Sequence, residues 1–150
     1  MVRALFLTAI LSLAGACASS NSVHVKGETN DVVALSGDWE GQYQGIESGR
    51  AGTIEFSLGV GRHSADGQVL MYPDGSWKEP TPLRITFVQV KHGTISGTID
   101  PYMDPQCACE VQTEFTGTVQ DDAIRGSFTT KVVGTKVQQS GNWQVERVGG

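Results

Sequence analysis

From Leu35 to the last residues, apolar and polar positions alternate with a period of two. In Leu35-Ser36-Gly37-Asp38-Trp39-Glu40-Gly41-Gln42-Tyr43 every odd position is apolar or glycine and every even one is polar. That describes a half-buried strand with Trp39 and Tyr43 on its inner face. Seven more stretches follow the same rule. Their inward sets are Ile54, Phe56, Leu58 and Val60; a strand around 67–72; Leu83, Ile85 and Phe87; Ile95, Gly97 and Ile99; Val111, Thr113, Phe115, Gly117 and Val119; Ile124, Gly126 and Phe128; and Gly141, Trp143, Val145 and Arg147. After Phe87 the apolar phase slips to Val88 and Val90, which predicts a bulge. Turns at 91–94, 120–123 and 134–136 are short, while 72–82 and 100–109 are long connections whose prolines disfavour an inner strand. No helical stripe of ten residues occurs.

The pattern predicts an all-β domain over 35–150, an eight-stranded antiparallel up-and-down (meander) barrel, with a two-sheet β-sandwich as the alternative. Inward glycines favour the barrel, because they let strands coil and leave room for neighbouring rings such as Phe115, Phe128 and Trp143.

The residues ahead of the alternation change the picture from a bare domain to an addressed one. Residues 1–16 combine a positive start (Arg3), an apolar run and the small residues Ala14, Gly15 and Ala16, as an export signal does. Leu13-Ala14-Gly15-Ala16-Cys17 resembles the bacterial lipoprotein signal. The resemblance implies that Cys17 is fatty-acylated, as by palmitate, and becomes the new N-terminus; an ordinary secreted protein cut near the same place is the alternative. Three cysteines leave an odd thiol in an oxidising compartment, and lipidation of Cys17 leaves Cys107 and Cys109 as a pair. Residues 17–34 read as the lipidated N-terminus and a flexible polar tether. The implied location is the bacterial cell envelope, most simply the outer membrane, facing periplasm or surface. Without Arg3 the chain has ten basic residues against sixteen acidic ones, a net charge of −6 with no basic patch, which argues against nucleic acid as a partner. A monomer is expected.

Gly37-x-Trp39 opening the first strand, with an inward Arg147 on the last, resembles the calycin superfamily of lipocalins, avidins and fatty-acid-binding proteins. That resemblance implies a lipocalin-like barrel whose tryptophan sits at the closed end with the last-strand cation over its ring. Gly37, Trp39 and Arg147 are thus expected to be structural.

In a meander both long connections lie at the opposite end, the mouth, where Tyr72, Trp77, Tyr102 and Met103 are candidate binding residues for a small apolar ligand or an envelope protein. A carrier would show a cavity among the inner rings, and an interaction or inhibitor protein would show a filled barrel. With the tether leaving the closed end, the mouth would face away from the membrane. Cys107-Ala108-Cys109 is expected to form a disulfide. A site for Cu(I) or Zn(II) built from Met103, Cys107 and Cys109 is the sharper alternative, although a structural zinc needs a fourth ligand and none is evident. His63, His92 and Asp121 read as turn residues, and no metal or other cofactor is expected. No nucleophile elbow, phosphate loop or zinc-protease motif is present, and Asp121-Asp122 at a hairpin tip stays solvated, so a non-catalytic role is expected.

Overall fold

The structure is a computed structural model and describes residues 22–72 and 80–149. Its elements in chain order are β1 (Ser22–Lys26), α1 (Thr29–Ala34), β2 (Gly37–Gly45), β3 (Ala51–Leu58), β4 (Ser64–Tyr72), β5 (Thr81–Leu83), β6 (Ile85–Lys91), β7 (Thr94–Asp104), β8 (Cys109–Gln120), β9 (Ala123–Val132) and β10 (Gln138–Arg147). The strands form a small closed β-barrel. β2, β3 and β4 pair in sequence, as do β6 to β10, and β10 returns to β2 from Gly141↔Gly45 to Arg147↔Trp39. No break divides the sheet into two, so the sandwich alternative does not hold.

Among the described residues nine strands, β1–β4 and β6–β10, close the barrel and β5 adds to β4, which corrects the eight-stranded, wholly antiparallel reading. The stretch read as the fourth strand splits at Arg84 into β5 and β6, and β5 pairs with β4 only at Val69↔Leu83, Leu70↔Pro82 and Met71↔Thr81. The other half of that edge of β4 is covered by β1, antiparallel to β4 at Ser22↔Asp66, Val23↔Ala65 and His24↔Ser64, and parallel to β6 at Val25↔Val88 and Lys26↔Gln89. An open edge with unpaired backbone groups is costly, and Val23 and Val25 become buried by closing it. The tether expected over 17–34 is therefore corrected from Ser22 onward: Ser22–Lys26 and Thr29–Ala34 belong to the barrel. β6 runs from the mouth toward the closed end, and β1 runs parallel to it. The chain thus enters β1 from its mouth side and not from the closed end.

The inner faces follow the alternation. Val111, Thr113 and Gly117 of β8, Ile124 of β9, and Gly141, Trp143 and Val145 of β10 are buried, with exposed residues between them. The ring of Trp143 lies against Gly117 and Gly126, where an added Cβ would sit 2.5 Å from ring atoms, and its Nε1 donates to the Thr116 carbonyl at 3.0 Å. The bulge expected after Phe87 lies instead just before it, between Ile85 and Phe87. A second, between Ile99 and Tyr102, was not anticipated. It lets Pro101 sit within a strand and carries β7 on to Asp104, so 100–104 is strand and the connection shrinks to 105–108.

Candidate functional site

The two ends of the barrel are built differently. At the closed end, Trp39 is 1% exposed and donates Nε1 to the Leu35 carbonyl at 3.0 Å. The Arg147 guanidinium stacks over its ring at 4.2 Å from the centroid. The same guanidinium donates to the carbonyls of Ser36 and Ala34 and to Asp122 Oδ1. Gly37 has φ +120°, and a Cβ there would lie 2.7 Å from Arg147 Nη1, which is why the turn into β2 takes glycine. α1 covers this end: Val32 is buried, and the Asp31 carboxylate accepts the backbone N–H groups of His92 and Gly93 in the β6–β7 turn. Gly37, Trp39 and Arg147 therefore meet as the calycin resemblance implies.

Inside the barrel the packing of the described residues is incomplete. A cavity of about 120 Å³ is walled by Ile54, Val69, Met71, Leu83, Ile99 and Phe115 among other apolar residues, reaches Val25, Leu35, Ala65 and Ile95 toward the closed end, and is also faced by Trp143 and Phe128. For scale, an engineered apolar cavity of about 150 Å³ accepts benzene. Tyr43, Ser48, Arg50, Tyr102, Thr113, Thr130 and Gln139 give the cavity one polar side.

That polar side is organised by a buried ion pair. Arg50 and Asp104, 6% and 3% exposed, face each other with Nη1 on Oδ2 and Nη2 on Oδ1, the latter at 2.6 Å. Nη2 also donates to Gln106 Oε1 at 2.8 Å, and the backbone N–H groups of Gln106 and Cys107 donate to Asp104 Oδ1. Burial pushes the Asp104 carboxyl upward, but the hydrogen bonds from Arg50 and from the two backbone N–H groups outweigh it and hold the group below its ordinary range. Thr113 and Thr130 bond to each other at 2.7 Å. Tyr102 is raised by burial, against hydrogen bonds from Thr113 and Arg50 that act the other way. Tyr43 packs edge-on against Phe128; burial raises its phenol far above the ordinary value, Tyr102 adds to this, and Arg50 opposes it. Two polar atoms of this cluster are buried without a partner among the described residues, Tyr43 Oη and Arg50 Nε.

Of the residues singled out in the sequence for the mouth, Tyr102 lines the cavity. Tyr72 ends β4, half-buried and paired with Ala51, and is not part of the wall. Met103 is exposed, because the β7 bulge leaves Tyr102 and Asp104 more buried than Met103 between them. Trp77 lies outside the described residues. Cys107 and Cys109 bring their sulfurs to bonding distance, with Cα atoms 5.1 Å apart and Ala108 at φ 50°. No group of three or more His, Cys, Asp or Glu side chains arranged to hold a metal occurs among the described residues. Among the same residues no helix is long and apolar enough to cross a membrane.

Arg50, Asp104, Thr113 and Thr130 were not recognised as site residues in the sequence. The only signal was Thr113 in an otherwise apolar inward set, which marks a polar spot in the wall without naming its partners. Comparison with protein families, with curated proteins and with solved structures finds no match to this chain.

Proposed function

We propose that this is a lipid-anchored protein of the bacterial cell envelope, held through Cys17, whose calycin-like barrel binds a small, neutral, largely apolar ligand without catalysing a reaction on it. The observation that carries this reading is the cavity inside the barrel, an apolar pocket with a few convergent polar groups on its mouth side, which is the usual composition of a small-molecule site. A filled-barrel interaction protein fits less well, since a filled barrel would have no such cavity. The volume suits one ring or a short branched chain and not a long acyl tail.

The chemistry of the polar side narrows the ligand class. Arg50 is already neutralised by Asp104, so a carboxylate ligand would place a second anion beside Asp104 in a poorly solvated site. A hydroxyl or carbonyl meets no such repulsion and satisfies the unpartnered Arg50 Nε or Tyr43 Oη. Phenols, small alcohols and ketones have this combination of properties. The bridge between Cys107 and Cys109 would hold the 105–108 turn, whose backbone supports Asp104, against the cluster.

The test is solvent extraction of protein purified from its native membrane, followed by mass spectrometry of the extract. The expected result is a neutral species of single-ring size in stoichiometric amount, absent from Ile99→Phe, which fills the cavity. Equal recovery from that variant, or no small molecule from either, would contradict the reading.

A further inference from the structure

We infer that the mouth of the barrel is seated on the surface of the membrane that holds the lipid anchor, so that the cavity opens toward the bilayer. The inference rests on the anchoring at Cys17 proposed above and concerns orientation, about which that reading is silent.

Two observations carry it. The first is the direction of entry. β1 runs from the mouth side toward the closed end, so Ser22 is its mouth-side residue. Cys17 and Ser22 are separated by five residue steps, which reach at most about 17 Å when fully extended. From the level of Ser22, beside Asp66, to Tyr72 at the end of β4 is six residues. That is roughly 20 Å along the strand and about 15 Å along the axis of a tilted barrel. Fully extended, the stretch from Cys17 to Ser22 is long enough to bring a lipidated Cys17 to the plane of the mouth without a reversal of the chain.

The second observation is where exposed apolar side chains collect. Ile46, Met103, Val133 and Val137 stand out from the mouth rim, while Val33, Val60 and Val148 are exposed singly on α1, on the β3–β4 turn and after β10 at the closed end. Those at the rim form a continuous arc: the Ile46 N–H bonds to Ser140 at the start of β10, Val137 belongs to the β9–β10 turn, the Val133 N–H bonds to the Glu110 carbonyl, and Glu110 pairs with Met103. Scattered apolar residues on a surface need no explanation, but an arc around the opening of an apolar cavity, on a chain tethered within reach of a bilayer, has an apolar phase to enter.

The experiment uses the full lipidated protein in vesicles of phosphatidylethanolamine and phosphatidylglycerol, with its acyl mass verified. A bimane fluorophore is attached at Val133→Cys on the mouth or at Val60→Cys on the β3–β4 turn of the closed end. Both positions are exposed, at 49% and 80%, so neither substitution disturbs the core. Lipids carrying a spin label near the headgroup should quench the Val133 position several-fold more than the Val60 position, and Ile46→Asp combined with Val137→Asp should reduce that difference while the protein stays on the vesicles. Equal quenching, stronger quenching at Val60, or no quenching at either site with the acyl mass present overturns the orientation and leaves the anchor standing. Absence of the acyl mass overturns the anchor itself. Protection of Val133 that depends on an added envelope protein and not on lipid would assign the arc to a protein partner and overturn the inference.

Discussion

The closed end and the mouth of this barrel contain the same kinds of residue, an arginine, an acid and aromatic rings, in opposite states of completion. At the closed end Arg147 lies over Trp39 with carbonyls and Asp122 on its nitrogens, and α1 covers the opening. At the mouth Arg50 is more deeply buried and better paired, yet its Nε and the nearby Tyr43 hydroxyl lack partners among the described residues, and the cavity lies beside them. Native proteins satisfy nearly all buried polar atoms, so an unsatisfied pair beside a cavity is where the proposed ligand would place its polar group. The contrast teaches that burial alone does not distinguish structure from site. Completion of the hydrogen bonding does.

The largest expected effect is at the closed end. Trp39→Ala removes a fully buried ring and should cost about 3 to 5 kcal/mol in denaturant unfolding, as large-to-small changes of buried aromatics do. A cost within about 1 kcal/mol would mean that this end is not the stabilising one.

At the mouth the sharper test uses one change against two. Asp104→Asn alone leaves Arg50 buried without its counter-ion and should destabilise by about 3 kcal/mol or more. Arg50→Met together with Asp104→Leu removes both charges and should restore most of that stability while abolishing ligand uptake, as expected of a pair retained for binding and not for the fold. The same pair sets an acid limb. Asp104 titrates below its ordinary value when folded, so its contribution is present at neutral pH and is lost as pH falls from about 4 through its lowered folded-state value. Urea unfolding followed from pH 6 downward should show that limb in the wild type and a shallower one in Asp104→Asn.

The order in which these features could be read from the sequence has a physical cause. Strands β2 to β10 follow the period-two alternation because each has one face on the core, and Gly37, Trp39 and Arg147 were legible because the first and last strands must meet in a closed barrel. β1 was missed because Val23 and Val25 alternate over only five residues among polar ones, and what makes that stretch a strand is the vacancy beside β4, a property of the whole sheet. α1 is too short to show a helical stripe. The Arg50–Asp104 pair joins residues 54 apart in sequence, and Asp104 came within reach only through the bulge that extends β7 past Pro101. Period-two patterns report which face a residue occupies; they do not report which residues meet across the interior.

Smaller effects sharpen the comparison further. A double-mutant cycle between Trp39→Phe and Arg147→Met should show about 1 kcal/mol of coupling from the stacked cation, and a value near zero would remove the closed end's distinguishing contact. Reduction of Cys107 and Cys109 should change global stability least, because closing so short a ring removes little chain entropy, well below the ~3 kcal/mol of a fifteen-residue loop. The unreduced protein should have a mass two hydrogens below the reduced one, and two free thiols in carefully oxidised material would contradict the bridge.

The claim that the mouth side is a site for a neutral ligand is tested most directly by calorimetric titration of the Cys17→Ser protein at neutral pH with three ligands of one ring size: p-cresol, toluene and benzoate. The account predicts saturable binding of p-cresol, weaker binding of toluene, which leaves Arg50 Nε and Tyr43 Oη unpartnered, and no measurable binding of benzoate. Tightest binding by benzoate, or no binding by any of the three, would contradict it.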